Sequence, residues 1–526
     1  MCTWRAPPRR TRPAIVEGSA EWNFRQFRWS SSELPCLQHE RERRVRDLDA
    51  VIVGSGPNGL AAAVTLARAG LSVEVHEMSD AVGGGLRGAR LFDEDIVHDL
   101  CAAVYPMAET SRFFREFDLE ARGVEMLRPQ VSYAHPLPGG DAALAMADLA
   151  QTCAHLGEDG RRWYRLMAPL VDRSQEVVDL VLSRQRSLPS SPAVAAALAT
   201  RLLTHGRGVD PWTTERARGL LTGVAGHVSG PLPSYSGTAV ALLLGHLAHT
   251  STGWPLPRSG GSAIADALVA DLEAHGGVVR TGHRVEDLKD LPKARSILLD
   301  VAPKGFLALA GDRLPSGYRR ALQRFRYASG AAKVDFLVSE PIPWTAPEVG
   351  RAGTVHLGGT QAQMFRAEKA TARGRLAEEP FVLLVDPAVT DPDRAEPGRR
   401  PVWAYAHVPH GDPQDPVELV RRRIETYAPG FGDTVIAARG ISAAALEEYN
   451  PNYVGGDIAS GAMSPRQAVL RPTPRFDPYR TPLPGVYLCS ASTPPGPGVH
   501  GMSGHLAALS ALRRDHGVRM GPSLSP

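Results

Sequence analysis

Two short stretches of the chain carry glycines at the spacing G-x-G-x-x-G. The first, GSGPNG, directly follows the apolar, β-branched run LDAVIV and leads into a run with helical periodicity, NGLAAAVTLARA. In this setting the first glycine permits a tight turn, the second lets the backbone approach a diphosphate, and the third lets the helix pack closely. The N–H groups and dipole of the helix N-terminus stabilise the negative charge. We therefore predict a dinucleotide site at Gly54, Ser55, Gly56, Pro57, Asn58 and Gly59.

An acidic residue stands where such a site needs one. Glu77 follows the alternating run LSVEVH and lies 23 residues after Gly54. A carboxylate at the end of the second strand of a βαβ unit accepts hydrogen bonds from a ribose hydroxyl of the dinucleotide. A strand, turn and helix without a ligand is the alternative, and the combination of glycines and acid argues against it.

The second copy of the pattern, GPGVHG at 496–501, also follows a strand-like run and precedes a helical one. Only 25 residues follow Gly501, fewer than the crossover helix, strand and acid of another βαβ unit require. At the spacing that separates Glu77 from Gly54, the residue after Gly496 is Arg519, a base. We therefore expect the tail to complete the first dinucleotide site, and we expect no separate NAD(P)H module.

The composition is typical of a soluble globular chain of roughly two or three domains. Of its 526 residues, 43% are hydrophobic and 22% are charged, and the net charge of +3 gives no indication of nucleic-acid binding. The five cysteines form no C-x-x-C pair and no metal-ligand spacing, so we predict neither a redox disulfide nor a metal site. No apolar run reaches the roughly 18 residues that a membrane-spanning helix needs, although peripheral membrane contact stays open.

The first 46 residues are rich in arginine and lack the apolar segment of a secretory signal. Three early acids, Glu17, Glu21 and Glu33, argue against a mitochondrial presequence. We interpret residues 1–46 as a disordered or misassigned extension. The expected location is the cytoplasm, with membrane association left open, or the mitochondrial matrix in a eukaryotic source.

The stretch GGGLR at 83–87, six residues after Glu77, resembles the glutathione-reductase-type flavoproteins, which include amine oxidases and phytoene desaturases. The resemblance implies that the dinucleotide is FAD and that Gly83 and Gly84 let the chain pass close to it. It also implies that Arg87 reaches the phosphates or the flavin edge. Those flavoproteins usually carry an arginine directly after the glycine pair, where this chain has Gly85.

Other stretches, within about residues 47–514, resemble the phytoene desaturase-like family more closely. They are HDLCAAVYP, RAGTVHLGGT, ETYAPGFGDT, NPNYVGGDIASGA and the tail LCSASTPPGPGVHGMSG. The resemblance implies that the tail passes the flavin ring and that Val499, Met502 and Gly504 contact FAD. A helix N-terminus at that point would stabilise a reduced, anionic flavin. His500, in the same loop, is predicted either as an acid/base or substrate-orienting group or as a hydrogen-bonding structural residue.

The remaining candidates are interpreted mainly as structural. The alternative for His98 and Asp99 is that they face the flavin. The alternative for the aromatic residues is that they line an apolar pocket. The other residues of this group are His227, His246, His249, Trp254, Trp344, Trp403 and Tyr405.

We predict an α/β fold, with a discontinuous Rossmann-like FAD/NAD(P)-binding domain of glutathione reductase type 2 and an inserted α+β substrate domain of mixed sheet and helices. The FAD-binding segments are 47–145, 258–314 and 485–514; a helical cap region spans 146–257, the substrate domain 315–484, and a tail 515–526. The resemblance implies an oxidoreductase that transfers a hydride from a C–H of a small, apolar substrate to flavin N5, with oxygen or a quinone as acceptor. A carotenoid ketolase and a flavin-binding protein with a regulatory or partner-binding role are the alternatives, and the oligomeric state is left open.

Overall fold

The computed structural model describes residues 47–93, 95–184, 188–206 and 210–526, and the predicted extension 1–46 lies outside them. The strands are β1 Leu48–Val53, β2 Val73–His76, β3 Gly88–Ala89, β4 His98–Asp99, β5 Met126–Leu127, β6 Val131–Leu137, β7 Asp141–Met146, β8 Leu256–Pro257, β9 Val278–Arg280, β10 Ala294–Leu299, β11 Gly330–Val338, β12 Ala352–Leu357, β13 Val382–Val385, β14 Arg400–Val408, β15 Val435–Ile441 and β16 Val486–Leu488. The helices are α1 Pro57–Arg68, α2 Arg112–Phe117, α3 Leu149–His155, α4 Gly160–Val171, α5 Ser174–Val181, α6 Pro192–His205, α7 Glu215–Ala225, α8 Tyr235–Leu247, α9 Ser262–Ala274, α10 Pro303–Ala310, α11 Ser316–Gln323, α12 Gln361–Thr371, α13 Val417–Glu425, α14 Phe431–Thr434, α15 Ala443–Tyr449, α16 Pro465–Leu470 and α17 Met502–Asp515.

The first sheet is parallel and has the strand order β16-β10-β1-β2-β9. Alternate residues of β1 face opposite sides, so Ala50 and Ile52 join the core formed with α1, α9 and α17. Val51 and Val53 join the core formed with α10 and α11. A parallel sheet covered by helices on both faces is the arrangement expected of a Rossmann-like domain. Its strands come from three separate stretches of the chain, which confirms the predicted discontinuous domain.

The second sheet has the order β15-β11-β14-β13-β12-β6-β7, with β12 and β6 parallel and the other pairs antiparallel. One face packs on α13. The opposite face packs on α4, α7 and α8, which belong to the predicted helical region.

The last two strands of this sheet, β6 and the edge strand β7, differ from the sequence prediction. They fall almost entirely within the segment 47–145 that was predicted for the FAD-binding domain, yet they join the second sheet. All seven residues of β6 are buried, including His135 and Pro136. A histidine followed by a proline interrupts the apolar alternation by which a strand is recognised, so this strand gave a weak signal.

In the described ranges, no helix combines the length and apolar character needed to cross a membrane.

Candidate FAD and substrate site

The turn between β1 and α1 is built by glycines that leave no room for side chains. A Cβ on Gly59 would lie 2.0 Å from the carbonyl oxygen of Gly54, and a Cβ on Gly56 would lie 2.7 Å from Oδ2 of Asp300. Gly54 has a φ of +97°, which strongly favours glycine. The third glycine thus lets α1 pack on the turn, as the motif predicts, and the second lies against a carboxylate.

Glu77 is held at the end of β2 by three donors. Its Oε2 accepts from the N–H and hydroxyl of Ser55 at 2.9 and 2.7 Å, and its Oε1 accepts from the N–H of Ser79 at 2.9 Å. A carboxylate offers about four acceptor positions, so one is left for a ribose hydroxyl. Both Glu77 and Asn58, whose buried Oδ1 has no hydrogen-bond partner, line a cavity.

The second glycine segment touches the first. A Cβ on Gly84 would lie 2.9 Å from Cα of Gly56. Arg87 donates from Nε to the carbonyl oxygen of Gly84 at 3.0 Å, and its guanidinium lies 4.4 Å from the ring centre of Tyr449. Gly84 and Arg87 line the cavity, whereas Gly83, predicted to contact FAD, does not.

Asp300, which sequence reasoning missed, lies at the N-terminus of α1. It directly follows β10, and its Oδ2 accepts from the N–H of Gly59 at 2.9 Å. Burial raises the pKa of this carboxyl to about 7, with a further contribution from the negative charge of Glu77. The sequence signal for Asp300 was its position directly after the apolar run ILL at 297–299, because ligands of parallel sheets bind at the carboxyl ends of the strands.

The tail reaches the cavity through its loop, not through its helix. Val499 lines the cavity, as predicted, together with Gly498. Met502 and Gly504 do not. The sulfur of Met502 accepts from the N–H of Phe113, and a Cβ on Gly504 would lie 1.7 Å from a backbone oxygen of α1. These two residues, predicted to contact FAD, instead serve the packing of α17.

His500 has no free ring nitrogen. Its Nε2 lies 3.1 Å from the carbonyl oxygen of Gly496, and its Nδ1 accepts from the N–H of Met502 at 3.0 Å. The ring is fully buried, which lowers its pKa to about 4, and it does not line the cavity. This placement corrects the prediction of a catalytic histidine and agrees with the structural alternative.

The cavity has a volume of about 890 Å³ and joins the dinucleotide turn to an apolar chamber. Most side chains of the chamber are apolar and come from the C-terminal end of α5, from α8, from the second sheet and from the loops before β8 and α16. They include Leu182, Leu244, Leu383, Val385, Trp254 and Met463. Three polar residues, His227, Ser229 and Thr354, interrupt this wall.

Four of the histidines and aromatic residues interpreted mainly as structural line the cavity: His227, Trp254, Trp403 and Tyr405. Trp344 instead packs against the opposite face of the second sheet. His246 and His249 hydrogen-bond to backbone oxygens, which confirms their structural role.

A buried ion pair lies behind Trp403. Lys333 and Asp335 are two residues apart on β11, so their side chains lie on the same face of the sheet. The ammonium of Lys333 donates a hydrogen bond to the carboxylate of Asp335. Nδ1 of His98 lies 3.6 Å from Oδ1 of Asp335. The carboxylate of Asp99 accepts hydrogen bonds from the guanidinium of Arg394 and from the N–H of Gly261. The sequence signal for this ion pair was a lysine and an aspartate two residues apart in the otherwise apolar run KVDFLV.

Residues 52–117 match the model of the NAD(P)-binding Rossmann-like domain. The chain is 24% identical to pyridine nucleotide-disulfide oxidoreductase domain-containing protein 2 of Rattus norvegicus, over 89% of the chain and 94% of that protein. It is also 24% identical to a phytoene desaturase (neurosporene-forming) of Cereibacter sphaeroides, with the same coverage. The solved structure of a putrescine oxidase bound to putrescine superposes with a TM-score of 0.57 at 18% identity, over 89% of the chain and 99% of that structure. These findings confirm the predicted resemblance and fold, and they support FAD as cofactor and an oxidoreductase as enzyme class.

Proposed function

We propose that the chain is an FAD-dependent dehydrogenase that takes a hydride from a C–H group of a largely apolar small molecule. The observation that carries this proposal is a cavity of about 890 Å³ whose wall combines the glycine turn and Glu77 with an apolar chamber. A volume of this order is typical of cofactor and substrate sites. The similarity to a phytoene desaturase and to an amine oxidase supports the same reaction class.

The residues present fit FAD. Glu77 keeps an acceptor position for a ribose hydroxyl. The glycines at 54, 56 and 84 leave the backbone accessible along the cavity, and the N-terminus of α1 supplies N–H groups for the diphosphate. Arg87 lies beside this turn with its guanidinium against Tyr449, where a cation can pair with phosphate oxygens.

When bound, FAD supplies a flavin N5 that accepts the hydride and a ring that passes the electron pair to oxygen or a quinone. The two-electron oxidation releases one hydride and one proton from the substrate, and oxygen or a quinone takes up two electrons and two protons. The chain itself orients the substrate against the flavin with the apolar side chains of α8 and the second sheet. The same side chains exclude water from the reacting C–H.

The test is to purify the full chain, record its visible spectrum, and titrate it anaerobically with apolar alkenes, alcohols and amines. We expect the flavin absorption bands in the loaded protein and bleaching of the oxidised bands by a substrate. Glu77→Gln should weaken FAD binding roughly tenfold or more, because a hydrogen bond to a charged group is lost. Glu418→Gln is the matched control, since Glu418 is a carboxylate on α13 that pairs with Arg421 and lies outside the cavity.

A chain that takes up no FAD would refute the proposal. A chain that holds FAD but is bleached by no substrate would favour a flavin-binding protein with little catalysis.

A further inference from the structure

Two residues of the second sheet that line the cavity carry buried polar atoms without hydrogen-bond partners among the described residues. In register, Thr354 of β12 lies beside Val385 of β13, and Val385 lies beside Trp403 of β14. All three line the cavity. Oγ1 of Thr354 and Nε1 of Trp403 are buried and make no hydrogen bond to any residue that the structure describes, and the residues are 1% and 8% exposed. Buried polar atoms are rarely left without a partner, so these two point to a ligand.

Thr354 and Trp403 lie two strands apart on one face of the sheet, so a ligand that lies across Val385 can contact both side chains. Neighbouring strands lie about 4.8 Å apart, so the backbones of Thr354 and Trp403, two strands apart, are separated by roughly 10 Å. Val385, between them, offers only apolar surface.

His227 contributes a third group to the same wall. Its Nε2 lies 2.9 Å from Nε2 of His356. Burial lowers the pKa of His227 to about 3 and that of His356 well below its usual value. Both rings are therefore neutral, and one of the two Nε2 atoms must donate to the other.

The surroundings of His356 decide which ring donates. Its Nδ1 is buried and has no hydrogen-bond partner in the described part of the chain, and a buried N–H without an acceptor is rarer than an unpaired acceptor. We therefore assign the proton of His356 to Nε2, from which it donates to His227. His227 then carries its own proton on Nδ1, the ring nitrogen that is not used in the contact with His356. Since His227 lines the cavity, this N–H is a candidate donor to a ligand.

We propose that Thr354, Trp403 and His227 recognise a carbonyl or hydroxyl oxygen on an otherwise apolar substrate. The indole N–H and the imidazole Nδ1–H only donate, and the hydroxyl of threonine can donate as well, so the recognised atom must be an acceptor. The substrate class is therefore an oxygenated apolar molecule and not a pure hydrocarbon. This inference rests on the proposed function, which puts the substrate in this chamber.

The test compares two probes of nearly the same shape, acetophenone and α-methylstyrene, which differ by a carbonyl oxygen against a methylene. Their affinities for the FAD-loaded full chain are measured by isothermal titration calorimetry. We expect acetophenone to bind more tightly. Thr354→Val and Trp403→Phe should each weaken its binding about three- to tenfold, the range of one hydrogen bond, and leave α-methylstyrene within about twofold of the native value.

Two further variants separate recognition from folding. Thr354→Ser keeps the hydroxyl and should retain the affinity for acetophenone. Thr371→Val removes another buried hydroxyl that has no partner but lies outside the cavity, and it should change neither affinity.

Equal affinities for the two probes, or equal losses for both in Thr354→Val, would overturn the inference. The FAD content of each preparation is read from its visible spectrum. Failure of the proposed function appears as a chain without flavin, whereas failure of this inference appears as equal affinities in a chain whose spectrum shows bound flavin.

Discussion

Replacing Asp300 by asparagine should change the pH dependence of FAD binding. The carboxyl group lies at the N-terminus of α1 and accepts from the N–H of Gly59 at 2.9 Å, at the point where the diphosphate of FAD is expected. Burial and the charge of Glu77 raise its pKa from 3.8 to about 7. At roughly 1.4 kcal/mol per pH unit, ionisation of Asp300 therefore costs about 4 kcal/mol more in the folded chain than in the unfolded chain.

The direction of the pH dependence follows from which state of the chain holds the proton on Asp300. Between pH 4 and pH 7 the folded chain keeps a proton on Asp300 that the unfolded chain releases, so the free energy of unfolding falls as pH rises through this window. A bound diphosphate adds negative charge beside the carboxyl and favours its protonated form further. Above about pH 7, FAD binding should therefore take up a proton, and its affinity should fall up to about tenfold per pH unit.

Asp300→Asn keeps an acceptor for the N–H of Gly59 and removes the charge. At pH 8.5 the variant should bind FAD roughly tenfold or more tightly than the native chain, and at pH 5.5 the two should agree within about threefold. Affinity is measured by quenching of flavin fluorescence across this range. Titration calorimetry is run in phosphate and in Tris, two buffers with different ionisation enthalpies. The difference between the two binding enthalpies gives the number of protons taken up when FAD binds.

Asp266→Asn is the control for this experiment, since Asp266 is an exposed acid on α9 outside the cavity. If the native chain binds FAD equally well at pH 5.5 and 8.5, or if Asp300→Asn keeps the native pH profile, Asp300 does not titrate against the diphosphate.

Three further substitutions test other parts of the site. Lys333→Met should lower the free energy of unfolding by about 3 to 5 kcal/mol, because it leaves the Asp335 carboxylate buried and unpaired; urea unfolding measures the loss, and Lys333→Met with Asp335→Leu should recover most of it. Gly504→Ala should destabilise the chain by about 1 to 3 kcal/mol through the clash with α1, seen as a lower melting temperature at unchanged flavin spectrum. His500→Gln should lower the melting temperature but leave the pH profile of turnover unchanged, whereas an acid/base role would remove turnover.

The dinucleotide turn could be predicted because its signals are local. The strand, the glycines, the helix and Glu77 all lie within 30 residues, and the hydrogen bonds that Ser55 makes to Glu77 close this unit on itself. Asp300 could not be predicted in the same way. It meets Gly59 across 241 residues of chain, and only the pairing of β10 beside β1 brings the two together.

His500 shows a different limit. The sequence places it correctly in the loop before α17, but its chemistry depends on whether a ring nitrogen is free. That in turn depends on the backbone of the loop, which turns the carbonyl oxygen of Gly496 and the N–H of Met502 toward the ring. A motif fixes the position of a residue and leaves the occupancy of its polar atoms to tertiary structure.

The substrate wall depends on strand order and register, which no local pattern encodes. Alternation within each strand correctly separates the face that carries Trp403 from the face that packs on α13, but it does not bring Thr354 to Val385 or Val385 to Trp403. A slip of one residue in β14 would turn Trp403 to the α13 side and bring Ala404 to the cavity. The dinucleotide motif is therefore informative about the cofactor alone, and the chemistry of the substrate has to be inferred from the polar atoms that this register brings to the chamber.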